Sequence, residues 1–214
     1  MAANFSPPTA AWAGLGLAAI LLSGCAAAPP EAKRYVPPAV GSTVEYRVTN
    51  TGSFGSATGT MTIKVSETTF EGRTLRKYES AGGATLQSPA AGTAALLDPA
   101  GRPLMRYNPP LDFNFPLTVG KTWTADHELT VGASTRMPMK TSWKVEAYED
   151  VTVPAGTFKA WRLVMTDNFG YRQTTWSMPD TVGMFAKRIS ERPQGHPQGA
   201  GTQVMEMTRL PAVR

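Results

Sequence analysis

With 214 residues and 22.9 kDa, the chain has room for one ordinary domain plus a leader, which excludes a string of domains. Charged residues make up 17% and hydrophobic residues 42%, and the 18 Pro and 20 Gly are scattered along the chain, so a folded, turn-rich body is expected and global disorder is not. The formal charge of +5 and the pI near 9.5 favour anionic surfaces as neighbours; no recurring basic and aromatic motif points to nucleic acid.

Ala10 to Leu22 is a run of 13 residues without a charge, too short for a bilayer span of about 20 residues and suited to the apolar region of a secretory leader. Leu22-Ser23-Gly24-Cys25 follows directly and resembles the bacterial lipobox, in which small residues precede a cysteine that is lipidated and becomes the new N-terminus. Residues 1–24 therefore read as a lipoprotein signal peptide, cut between Gly24 and Cys25. The stretch Met1 to Thr9 departs from such leaders in having no Lys or Arg; all 21 basic residues lie beyond Cys25. Diacylglyceryl and N-acyl (palmitate-type) chains on Cys25 would anchor the protein essentially permanently, at about 0.8 kcal/mol per buried methylene. Cys25 is also the one cysteine in the chain, so its lipidation leaves no disulfide, thiolate nucleophile or Cys-ligated metal for the folded part. Residue 26 is Ala and not Asp, which by the enterobacterial sorting rule favours the outer membrane, facing the periplasm.

Residues 25–40 read as the lipidated Cys and a Pro/Ala-rich tether, because AAAPPEAKRYVPP has two Pro pairs and little periodicity. From 41 to 212 the period is two. Val44, Tyr46 and Val48 alternate with polar residues in Ser42 to Asn50, and Met61, Ile63 and Val65 do so in Thr58 to Ser66, which predicts a first hairpin. The cadence passes Glu71-Gly72, a loose stretch from Ala81 to Gly92, and Asp98-Pro99-Ala100-Gly101, a turn between Ala94 to Leu97 and Leu104 to Tyr107. Trp123, Ala125, His127, Leu129 and Val131 share one face of a strand over Thr122 to Val131. Met139, Thr141, Trp143, Val145 and Ala147 share one face of the next, and Val153-Pro154-Ala155-Gly156 is a turn. Further strands are predicted near Thr157 to Thr166, Tyr171 to Ser177, Met184 to Ser190 and Thr202 to Leu210. About ten antiparallel strands without an amphipathic helix predict an all-β fold: one curved sheet, a closed or half-open barrel or clamshell.

Three stretches carry a family resemblance: Phe115-Pro116-Leu117-Thr118-Val119-Gly120-Lys121-Thr122-Trp123, Val151-Thr152-Val153-Pro154-Ala155-Gly156-Thr157-Phe158, and Trp176-Ser177-Met178-Pro179 with Gly183-Met184-Phe185-Ala186-Lys187-Arg188. In this order they resemble the TapB-like and related domain-of-unknown-function families of bacterial exported proteins and lipoproteins. The resemblance covers Asn108 to Leu210 best and implies an antiparallel β-clamshell. It transfers no catalytic residue, because its motifs are turn and packing motifs.

The candidate ligand-binding residues are Trp123, His127, Trp143 and Trp161, expected on the interior face of the sheet. His196 lies in Gly195-His196-Pro197 and reads as a solvated loop residue. Met137 with Met139, and Met205 with Met207, could pair thioethers around copper(I), but core filling is the simpler reading. Gly120-Lys121-Thr122 ends like a phosphate-binding loop, yet residue 115 is Phe where the first Gly should be and a strand follows in place of a helix. No Gly-x-Ser-x-Gly elbow exists. No catalytic residue, cofactor or metal is therefore expected. The reading is a non-enzymatic envelope lipoprotein that binds a hydrophobic or amphiphilic ligand inside the sheet. The alternatives are a structural or protein-interaction module with an envelope partner and, further off, a hydrolase using His127 or His196.

Overall fold

The computed structural model describes residues 30–213; the signal peptide, Gly24 and Cys25 lie outside them. The strands in chain order are β1 (Ser42–Gly52), β2 (Thr58–Phe70), β3 (Arg73–Ser80), β4 (Gly83–Gln87), β5 (Thr93–Leu97) and β6 (Pro103–Leu111), then β7 (Thr122–Val131), β8 (Thr135–Val153), β9 (Gly156–Asp167), β10 (Arg172–Met178), β11 (Met184–Arg192) and β12 (Gly201–Val213). Each pairs antiparallel with its neighbours in sequence, and β1 closes on β12, so the sheet is a closed barrel of twelve strands. The all-β reading holds. The two additional strands, β3 and β4, flank and enter the Ala81 to Gly92 stretch, where short apolar residues give little alternation.

The alternation visible in the chain becomes an inside and an outside. Val44, Tyr46 and Val48 of β1 are buried, as are Met205 and Met207 opposite them on β12. Between these positions the outer face carries cross-strand ion pairs: Arg47 with Glu206, Lys187 with Glu206, Arg209 with Glu45 and Arg162 with Glu146. Apolar inside and charged outside is the reverse of the pattern a membrane-spanning barrel requires.

Three departures from a simple barrel decide what its interior holds. First, the register slips between Val145 and Ala147 at a bulge in the long strand β8. A bulge bends its strand and exchanges the faces beyond it. Beyond this one, the β8–β9 hairpin turns toward the opposite wall: the Ala155 N–H donates to the Met207 carbonyl at 3.0 Å, and Val151, Val153 and Ala160 join Tyr46, Met205 and Met207 in the main core. Consecutive residues Ala160 and Trp161 are both buried for that reason.

Second, the Pro-rich segment before β1 does not run free. Ala32 pairs with Leu117 in a bridge, and both are fully buried against Val145, Trp161 and Leu163. Three residues on, the Tyr35 hydroxyl lies 2.5 Å from the Tyr78 hydroxyl, 2.7 Å from Gln87 Oε1 and 3.0 Å from the Gly183 carbonyl. The Val36 N–H then donates to the Pro179 carbonyl at 2.8 Å. Gly183 sits at φ +70°, and a Cβ there would overlap the Val36 carbonyl oxygen, so only glycine lets the strap lie this close. Residues 32–36 thus cross the end of the barrel formed by the β8–β9, β10–β11 and β4–β5 turns. Third, the β2–β3 hairpin covers the outside of β4 and β5, where Leu75 and Phe70 pack with Leu86, Ala95 and Leu97.

Tyr35→Phe removes the hydroxyl at the centre of this strap while leaving Gln87 and Gly183 with buried acceptors. It is expected to lower stability by about 1–3 kcal/mol, measured as the urea midpoint with an unchanged m-value.

Candidate functional site

The plugs fill one end of the barrel. Toward the other end, where the β1–β2, β7–β8, β9–β10 and β11–β12 turns meet, a cavity of about 720 Å³ remains, within the roughly 300–1,000 Å³ range of small-molecule sites. Its two walls differ in chemistry. Strands β6 to β9 contribute Met105, Leu129, Met137, Met139, Trp143 and Met165, with Phe169 from the next turn. Strands β10 and β11 contribute mostly polar residues, Gln173, Thr175, Ser177, Arg188, Ser190 and Arg192, beside Met184 and Phe185. The interior is therefore amphipathic, most apolar along β6 to β9 and most polar along β10 and β11, with Thr85, Gln87 and Thr93 added by β4 and β5.

The four sequence-predicted ligand residues separate in the structure. Trp143 lines the cavity. Trp123, directly across from it on β7, stacks on it with ring centroids 5.4 Å apart and planes 6° from parallel, and Phe113 meets Trp143 edge-on at 5.6 Å. Trp123 therefore backs the wall without forming it. His127 faces inward beside Leu129, as its parity predicts, but its ring is used up: Nδ1 lies 2.8 Å from the Pro109 carbonyl, and Nε2 lies 3.0 Å from Thr141 Oγ1. A carbonyl only accepts, so Nδ1 carries a proton. Thr141 also accepts from Trp143 Nε1 at 3.1 Å, which ties the histidine to the orientation of the cavity tryptophan. Trp161 is 2% exposed and packs on Tyr148, in the cluster with Ala32 and Leu117 beneath the cavity.

Met137 and Met139 line the cavity, whereas Met205 and Met207 belong to the main core. His196 stands at the rim, where its Nδ1 accepts from the Gln198 N–H at 3.1 Å; burial and the neighbouring Arg192 both lower its pKa. Asp167, the carboxylate of the cavity lining, accepts the N–H groups of Phe169 and Tyr171; burial raises its pKa and those bonds oppose the rise. Arg192 lies over the Phe54 ring at 3.9 Å and donates to Ser53 Oγ at 3.2 Å.

Arg188 is the residue that sequence reasoning missed. In a period of two the flanking Lys187 and Ile189 share one face and Arg188 the other, so turning the isoleucine inward would leave Arg188 outside. A bulge at Ala186 of the same strand, where Trp176 pairs with Lys187 and Ser177 with Phe185, lets Phe185 and Arg188 both face inward, and Arg188 lies across from Thr175 and Met205. Its guanidinium carbon stands 4.0 Å over the Phe185 ring, and its Nε is buried without a hydrogen-bond partner. Burial lowers its pKa, with the Tyr171 and Tyr46 phenols acting the other way.

Neither a protein-family model nor a curated protein matches the chain, so the TapB-like resemblance gains no support there. Solved structures similar to it include a protein of Bacteroides fragilis described as exported and of YmcC-like fold (TM-score 0.45, 11% identity, 83% of this chain and 99% of that one). Others are the hypothetical lipoprotein YmcC of Escherichia coli (0.41, 12%, 81% and 85%) and a protein of Parabacteroides distasonis described as a lipoprotein (0.37, 10%, 84% and 99%). No residue's role follows from likeness this distant.

Five phenols of the interior, Tyr35, Tyr46, Tyr78, Tyr107 and Tyr171, have pKa values raised above the ordinary 10.0, in each case chiefly by burial, and that of Tyr78 is pushed up to about 12. The unfolded chain then loses these protons first, so their contribution to stability is intact below pH 10 and is lost as pH rises from there through 12. Phenolate absorbance and tertiary circular dichroism are expected to change together in one alkaline transition; free titration of all five tyrosines in the folded protein would contradict the burial.

Proposed function

We propose that this protein is a non-enzymatic lipoprotein of the bacterial envelope, anchored through Cys25 in the outer membrane and facing the periplasm, which takes a hydrophobic or amphiphilic molecule into its barrel. The observation that carries the reading is the 720 Å³ amphipathic cavity, open at one end of a barrel whose other end is plugged by its own chain. A core built only for stability fills such a space, because unfilled apolar volume costs about 24 cal/mol per Å³. The outward ion pairs support a body that stands in water beside its membrane, held by lipid and not by its strands.

Among the alternatives, strand addition at a sheet edge loses its template, since β1 pairs with β12 and leaves no free edge among the described strands. A hydrolase using His127 would have to free a ring that is bonded on both nitrogens.

Two measurements test the proposal. Cys25→Ser is expected to move the protein from the membrane to the soluble fraction, and mass spectrometry of the native N-terminus to find acylated cysteine; unmodified Cys25 would refute the anchor. A neutral polarity-sensitive dye is expected to bind one per chain. Met137→Trp, which places a larger ring at the cavity wall, is expected to weaken it about tenfold, equal to about 1.4 kcal/mol. Equal dye binding by both proteins would refute the cavity.

A further inference from the structure

Arg188 poses a problem that the folded chain does not solve by itself. A guanidinium removed from water is normally paired with a carboxylate, because desolvation of an unpaired charge is costly. Here no ion pair or hydrogen bond to the Arg188 side chain exists among the described residues, and its Nε is a buried orphan. The Phe185 ring beneath it offers a cation–π contact but accepts none of its in-plane N–H bonds. The cavity's own carboxylate, Asp167, is turned to the backbone of its own turn. With Arg188 and Arg192 against Asp167, the lining carries an excess of positive charge.

The neighbours of Arg188 are arranged as donors. Thr175 lies directly across the β10–β11 ladder, and its Oγ1 accepts from Gln173 Nε2 at 3.2 Å, so its own proton has no assigned acceptor. Ser177, the next inward residue of β10, lines the cavity and is 7% exposed. Fixed hydroxyl and guanidinium donors converging on one polar wall, flanked on β8 and β9 by Met139, Trp143 and Met165, form a half-site for an anion attached to an apolar body. Resting on the cavity reading above, we infer that the ligand is an amphiphile with an anionic head group, a carboxylate or a phosphate, whose oxygens pair with Arg188 and Thr175 while its apolar part lies against the methionine and tryptophan wall. Arg188 has no partner within the fold because its partner arrives with the ligand.

The test uses the purified full chain and three probes of equal alkyl length: a fatty acid, an alkyl phosphate and a fatty alcohol, each displacing the neutral dye. At neutral pH at least one of the two anions is expected to bind about tenfold or more tightly than the alcohol, and the better of the two identifies the head group. Arg188→Met is expected to bring the three affinities to within about threefold of one another, and to raise or preserve the urea midpoint, since it removes an unpaired buried charge. Thr175→Val keeps the charge and is expected to reduce the preference only in part. An alcohol that binds as tightly as both anions, a preference that survives Arg188→Met, or a midpoint that falls in that variant overturns the inference while leaving the cavity intact. If neither dye nor any probe binds, the cavity reading itself fails.

Discussion

A closed sheet of twelve strands encloses more space than its inward side chains can occupy, and the rest of this structure follows from that geometric constraint. Eight strands can be filled by side chains alone; with four more, the interior has to be filled by additional backbone or left as a cavity. This protein does both. The β8–β9 hairpin, re-aimed by the bulge at Val145, and the strap at Ala32 to Val36 occupy one end, and the space beyond them stays open.

The two plugs also explain why residues that look equivalent in sequence have different roles. Trp143 and Trp161 are both inward aromatic residues of neighbouring strands, yet Trp161 lies where Ala32 and Leu117 press on it, and Trp143 lies above them at the cavity wall. Local hydrogen bonding sharpens the division: His127, Thr141 and Trp143 form a fully bonded row that holds the wall in place. A satisfied polar network of this kind is rigid, which suits a wall and not a reacting group. The contrast with Arg188 is informative, since its buried Nε has no acceptor in the fold.

Polar residues on one interior wall lower the apolar burial available to the barrel. The satellite cluster of Leu75, Leu86, Ala95 and Leu97 outside β4 and β5 offsets part of this by burying both faces of those short strands. The near-continuous apolar run from Ala94 to Leu97 is the sequence trace of a strand covered on both sides.

Strand identity was legible wherever one face meets water and the other the core, because the pleat then forces a period of two: β1, β2, β7 and the first half of β8 are examples. The inward parity of His127 and Trp143 was legible for the same reason. Alternation names a face without saying what fills the space in front of it. Ala32 and Tyr35, in a Pro-flanked stretch without periodicity, gave no signal that they cross the barrel, and Arg188 was hidden by a bulge two residues before it in its own strand. The amino-acid sequence by itself determined an all-β body behind a lipobox-like Cys25, since both are local patterns. Closure of β1 on β12, the plugged end, the amphipathic cavity and the inward guanidinium were decided only by tertiary structure, because each depends on contacts between residues far apart in the chain.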